Sequence, residues 1–197
     1  MRHLLAICLL SLSPALSGQT SDLTALRIRC VPQGPESTLN AIVQAESGGN
    51  PNAMQIDFPH ALAKRWNLAP GSLRLKRQPA SQAEAHQWIA YFQSYRVSVD
   101  LGLMQVSSAE ADRRGIRPES LLDPCTNLRV GWQIFSDAYA AGAKMYGPGQ
   151  PALERAISRY NTGSPQQGID NGYLGRVLAA AQRLEPNRKH AAEKGQR

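Results

Sequence analysis

Apolar residues return at helical spacing in stretch after stretch of this 197-residue chain, and that repetition limits the fold more than any single motif does. From Ser37 to Ser47, Leu39, Ile42 and Val43 share one helical face. "SQAE" at Ser81 to Glu84 is a capping box that opens a helix through about Tyr95, with Ala85, Trp88, Ile89 and Phe92 inward. A short helix is expected near Ser108 to Arg114. Asp123 as a cap and Pro124 in the first turn begin a long helix whose stripe is Leu128, Ile134, Phe135 and Ala138. Pro151 opens another that ends at "NTGSPQQG", and a last helix runs from about Gly172 to Leu184. Only Asn50 to Pro79, with its alternating "SLRLKR", reads as loop with one or two short strands. About five or six helices and a minor strand element predict a mainly α (α+β) single domain.

The chain begins "MRHLLAICLLSLSPALSGQ": a basic start, an apolar run from Leu4 to Leu12, then small residues around Ala15, Ser17 and Gly18. That order predicts a secretory signal peptide over residues 1–18, cleaved near Ser17 or Gly18, and hence a periplasmic protein. The run is too short to span a membrane, and no later stretch of about 20 apolar residues occurs. Lipid attachment at Cys8 is the weaker alternative, because Ile7 stands where a small residue is expected. Residues 19–184 are then the folded domain, and 185–197, "EPNRKHAAEKGQR", a basic and flexible tail.

With 42% hydrophobic and 19% charged residues, the composition is that of a globular protein and not of a disordered one. The formal charge of +7 suits an anionic partner such as a cell-wall polymer or a membrane surface. Nucleic acid is not expected, since the chain is read as exported and its basic residues are dispersed. Removing the signal leaves Cys30 and Cys125, which in an oxidising compartment suggest one disulfide, with two buried thiols as the alternative. No zinc-type spacing of cysteines and histidines appears.

Glu46 is the first anomaly. It falls on the apolar stripe of Leu39, Ile42 and Val43, immediately before Gly48 and Gly49 break the helix. Burial disfavours a charged carboxylate, and so does the negative end of a helix dipole. Both keep a fraction of the group protonated near neutral pH, as a general acid requires. A surface or capping glutamate is the plain alternative. "GLMQV" at Gly102 to Val106 sets a glycine where backbone approaches something closely, then a polar Gln105 among apolar neighbours; Met104 and Val106 alone would read as core. "RYNTGS" ends a helix with Tyr160, Asn161 and Thr162, groups fit to bind sugar hydroxyls and acetamido groups, although Asn161 alone would serve as a helix end.

Taken in order, "ESGGNP", "GLMQV" and "ERAISRYNTG" resemble the lytic transglycosylases, the lysozyme-like enzymes that cut peptidoglycan. The likeness covers roughly residues 28 to 182 and is strongest to the transglycosylases of conjugation and type IV secretion systems. "VDLGLMQV" and "DPCTNLRVG" carry that narrower likeness. The resemblance implies a lysozyme-like fold, peptidoglycan strands as substrate and secretion or conjugation proteins as partners. It implies Glu46 as the single catalytic acid and base, with Ser47 supporting its carboxylate. Gln105 and the backbone of Met104 would contact acetamido groups, Tyr160 and Asn161 would border the glutamate, and Tyr173 in "GYLGRV" would add an aromatic near the cleft.

One strong carboxylate, where hydrolysing glycosidases usually need a pair about 5 to 9.5 Å apart, favours the family's water-free reaction. The product is then a 1,6-anhydromuramic acid, and the resemblance implies neither a metal nor an organic cofactor. Asp100 bears on this: facing the cleft it would be a second carboxylate and the enzyme a lysozyme-type hydrolase, whereas turn preferences make it a brace before Gly102. A non-catalytic wall-binding assembly component is the remaining alternative.

Overall fold

The computed structural model describes residues 17–58, 64, 67, 71–75 and 77–194. Its elements in chain order are α1 (Ser17–Cys30), α2 (Glu36–Glu46), β1 (Met54–Phe58), β2 (Gly71–Arg74), α3 (Gln82–Ser94), β3 (Ser98–Leu101) and β4 (Val106–Ser107). There follow α4 (Ser108–Arg113), a 3-10 turn (Pro118–Leu122), α5 (Pro124–Tyr146), α6 (Gln150–Thr162), α7 (Gln167–Asp170) and α8 (Tyr173–Lys194). The fold is therefore mainly α with a small antiparallel sheet, as the helical periodicity predicts.

Local chemistry accounts for where the helices start and stop. Asp123 Oδ1 accepts from the Thr126 N–H at 2.8 Å, so one of the free N–H groups of α5 is satisfied, and Pro124 occupies a first-turn position that needs no N–H. The capping box of α3 forms only on one side. Ser81 Oγ accepts from the Glu84 N–H, but the Glu84 carboxylate reaches past Ser81 to the Ala80 N–H at 2.7 Å, where it also pairs with Arg77. Gly163, left-handed at φ 74°, ends α6 with its N–H on the Arg159 carbonyl.

Two elements differ from the sequence reading. Helix α1 was not expected, because almost no amphipathic stripe marks it; its start at Ser17 falls inside the expected leader, most of which lies outside the described residues. Helix α8 continues beyond Leu184 to Lys194, through Pro186.

The four strands lie in the order β2-β1-β3-β4, every neighbouring pair antiparallel. Register pairs Gln55 with Asp100 and Asp100 with Ser107, so three polar residues form a row across β1, β3 and β4. Beneath the sheet and helices the core gathers Leu39, Ile42 and Val43 of α2 with Ile56, Ile89, Leu101, Met104 and Leu128, all fully buried. Each such side chain contributes on the order of 2 kcal/mol by leaving water. Helix α2 packs on α8, and α5 on α6. A disulfide joins Cys30 at the end of α1 to Cys125 in the first turn of α5, closing a separation of 95 residues.

Candidate active site

Helix α2 delivers Glu46 as its last residue. The chain then leaves helical geometry at Ser47 (φ −122°), and Gly48 and Gly49 turn it away at φ 63° and 84°. Ser47 does not support the carboxylate. Its buried hydroxyl donates to the Leu103 carbonyl at 2.8 Å, with the Val43 carbonyl at 3.1 Å, and accepts from the Gly49 N–H. It therefore ties the end of α2 to the "GLMQV" turn.

That turn is built around Asn127, a fully buried residue of α5 that sequence reading passed over. Its Nδ2 donates to the carbonyls of Leu101 (2.7 Å) and Leu121 (2.9 Å), and its Oδ1 accepts from the Met104 N–H (2.8 Å). Gly102 (φ 74°) is required here twice over: by its backbone conformation, and because a Cβ would lie 2.4 Å from Asn127 Nδ2. Met104 stays out of the cleft. Its side chain is buried against Gly131, its N–H serves Asn127, and its carbonyl accepts from the Tyr160 hydroxyl at 2.7 Å.

Gln105 does face the cleft, and it holds a left-handed backbone at φ 47°, a strained conformation for a residue with a side chain. Its Nε2 donates to the carbonyls of Ala53 (3.0 Å) and Gly102 (2.9 Å). With both amide hydrogens used, what the side chain offers a ligand is its oxygen.

A cleft of about 330 Å³ brings together Glu46, Gln105, Tyr160 and Asn161. The row Gln55, Asp100 and Ser107 forms its sheet side, and Val106, Glu110, Arg113, Ile134, Arg159 and Gly163 complete it. Ile134, expected in the core, is thus a cleft residue. Asn161 is exposed and its Oδ1 accepts from Asn171. Tyr173 sits behind the cleft wall, almost wholly buried, and its hydroxyl donates to Glu46 Oε1. The Arg176 guanidinium lies 5.3 Å over the Tyr173 ring.

Burial pushes the Glu46 carboxyl up to about 7; the Tyr173 hydrogen bond and the charge of Arg176 both favour the anion and hold the rise in check. Asp100 is corrected from turn brace to cleft wall. It lies in β3, and its carboxyl also rises to about 7, from burial first and then from the neighbouring acids Asp57 and Glu46. Tyr160 is pushed well above the usual phenol range, again by burial before the charges of Glu46 and Asp100, so it stays a neutral donor to Met104. Among the described residues no group of three or more His, Cys, Asp or Glu could hold a metal ion.

An acid of shifted pKa at a helix end, a polar turn beneath it and a Tyr-Asn pair beside it are what the family likeness requires. The family model described as "Transglycosylase SLT domain" matches residues 27–175. The chain belongs to the transglycosylase SLT domain family. Within it, the SLT domain described here is 36% identical over 157 residues to "Protein virB1" of Agrobacterium fabrum, a match covering 80% of this chain and 58% of that protein. It is 33% identical over 181 residues to "Protein virB1" of Rhizobium radiobacter, covering 92% of this chain and 69% of the relative. To "Type IV secretion system protein virB1" of Brucella abortus it is 33% identical over 159 residues, 78% of this chain and 61% of that protein. The chain therefore spans about three fifths to two thirds of these relatives' length. No solved structure matches the SLT domain significantly.

Proposed function

We propose that this chain is a peptidoglycan lytic transglycosylase that cleaves the β-1,4 bond between N-acetylmuramic acid and N-acetylglucosamine. The observation that carries the reading is Glu46: a carboxyl lifted to about 7 by burial, set in the wall of a cleft, and oriented by Tyr173. At neutral pH such a group is present in both protonation states, so it can give a proton and then take one. Protonated Glu46 donates its proton to the linking oxygen, and the C1–O bond breaks as the substrate's acetamido oxygen stabilises the sugar cation. The carboxylate left behind removes the proton of the 6-hydroxyl on the same muramic acid. That oxygen closes on C1, Glu46 is again protonated, and no water enters.

The remaining residues take supporting roles. The Gln105 oxygen accepts from an acetamido N–H, and Asn161 reaches the sugar beside it. Tyr160 and Met104 hold that wall through their mutual bond, and Ser47 locks α2 to the turn. The basic chain is exported, its residues 1–18 removed as a signal peptide and 185–197 left as a tail outside the domain of residues 19–184. It acts in the periplasm, opening the wall locally for a secretion or conjugation apparatus; the name of the Brucella relative prints a type IV secretion system. No helix among the described residues is long and apolar enough to cross a membrane.

Hydrolysis is the second reading, because Asp100 faces the same cleft. A nucleophilic carboxylate must be ionised while its partner is protonated. Burial first, and then the neighbouring acids Asp57 and Glu46, raise Asp100 to the same range as Glu46, which disfavours that division of labour. Mass spectrometry of digested peptidoglycan separates the readings. Anhydro ends are expected; reducing ends would make the enzyme a lysozyme, and no fragments would make the chain a wall-binding component.

A further inference from the structure

Resting on the transglycosylase reading, we propose that Arg159 forms a carboxylate-binding subsite in the cleft, assisted by Arg113, and selects glycan that carries its acidic substituents. Arg159 lies in the last turns of α6, directly before Tyr160 and Asn161, and lines the cleft with them. Among the described residues it makes no ion pair. The other cleft arginine is differently placed. Arg113 shares the Glu110 carboxylate with Arg114, which also reaches Asp137 at 3.1 Å. Two acids, Glu110 and Asp137, thus answer the two charges of Arg113 and Arg114, and the guanidinium of Arg159 is left over.

The two other acids of the cleft do not neutralise it at neutral pH. Glu46 is committed to Tyr173, and burial keeps both Glu46 and Asp100 substantially protonated. A half-buried guanidinium without a carboxylate is a poor lining for a groove that reads only neutral hydroxyl and acetamido groups. It is a good one for a planar anion, which it can grip through two parallel N–H bonds. The strand supplies such anions in one place only: the lactyl group of each muramic acid, whose carboxyl is either free or extended by a peptide with carboxylates of its own. Arg159 therefore has a chemically defined target, the carboxylate, with two sources on the same sugar.

The test uses three glycans: strands bearing peptides, strands stripped of peptide and carrying the free lactyl carboxylate, and stripped strands with that carboxyl converted to the neutral amide. KM and kcat are measured for the wild type, Arg159→Gln and Arg159→Lys, and binding is measured in a Glu46→Gln background with and without Arg159→Gln. Loss of one partly exposed charge pair should weaken binding and raise KM by about two- to fivefold on charged strands, with kcat little changed. The effect should shrink with added salt and be absent on the amide strands. Arg159→Lys should retain part of the preference and Arg113→Gln should cost less than Arg159→Gln. A loss confined to peptide-bearing strands assigns the anion to the peptide, a loss confined to the stripped charged strands assigns it to the lactyl carboxylate, and a loss on both means that Arg159 accepts either. Equal losses on all three glycans, or none on any, overturn the subsite. Charge-dependent binding by a wild type that releases no anhydro fragments would instead sink the transglycosylase reading and leave the subsite in place.

Discussion

The Tyr173 hydroxyl donates its hydrogen bond to Glu46 Oε1 across 127 residues of sequence. The last helix of the fold thereby sets the orientation and the acidity of a carboxyl carried by the second. Burial alone would raise Glu46 further than it rises; Tyr173 and Arg176 bring it back toward the pH at which a single group can serve as acid and base.

Glu46→Gln should keep the fold and lose about 10² to 10⁴ in turnover, the usual cost of removing general acid catalysis. Gln matches the size of Glu but cannot donate that proton. Turnover of peptidoglycan above a tenth of wild type, in a variant with unchanged circular dichroism, would exclude Glu46 as the acid.

Tyr173→Phe removes a bond that favours the ionised form of Glu46, so the pKa must rise above about 7. The alkaline limb of the pH-rate profile should move to higher pH. Val43→Thr, which brings a polar group to the buried stripe beneath Glu46, should move it the other way. If neither shifts the limb, the group that titrates there is another.

Stability should also respond to pH, and the sign follows from the direction of the shifts. Glu46 and Asp100 rise from their ordinary values to about 7, so between about pH 4.5 and 7 the folded chain binds more protons than the unfolded one. Stability is then fully present below that window and is lost as pH rises through it, by on the order of 2 kcal/mol for Glu46. Thermal melts at pH 5 and 7.5 should give the higher Tm at pH 5, and the difference should narrow in Glu46→Gln.

Asn127→Ala strips hydrogen bonds from the carbonyls of Leu101 and Leu121 and from the Met104 N–H, which together hold the turn that carries Gln105. An unsatisfied buried group costs about 1 to 3 kcal/mol, so the variant should lose several kcal/mol in urea titrations, and kcat should fall with it. Unchanged stability would mean that water replaces the side chain.

Replacing both Cys30 and Cys125 by Ser should lower stability by about 4 kcal/mol in the chain-entropy model, read as a lower denaturation midpoint. Peptide mapping without reductant should recover the two cysteines in one linked fragment; two alkylatable thiols in protein from an oxidising compartment would contradict the pairing.

Much of this site was legible in the amino-acid order because its main members sit where local rules speak loudly. Glu46 interrupts an apolar stripe, Gly102 marks a close approach, and Pro124 follows its cap. What was hidden depends on distant partners. Asn127 lies within an ordinary helical stripe and becomes important only when β3 and the 3-10 turn bring their carbonyls to it. The family resemblance sets Ser47 to support its neighbour's carboxylate, whereas the end of the helix turns its hydroxyl toward Leu103. Asp100 precedes a turn and was read as its brace, but antiparallel register with Gln55 and Ser107 carries it into the cleft. Helix α1 lacked the periodicity that betrays the others.

The disulfide draws a covalent ring through residues 30 to 125, and Glu46, Asp100 and Gln105 lie inside it while Tyr160 and Tyr173 lie outside. A chain that has oxidised its cysteines but has not yet seated α6 and α8 holds its acid in a preassembled half, open to solvent and without the hydroxyl that aims it. Its carboxyl then has the acidity of any exposed glutamate and is ionised at neutral pH. Under the proposed function, cutting power therefore arrives last, with the docking of the C-terminal helices, and a molecule whose α6 and α8 are unseated spares the strand that it meets.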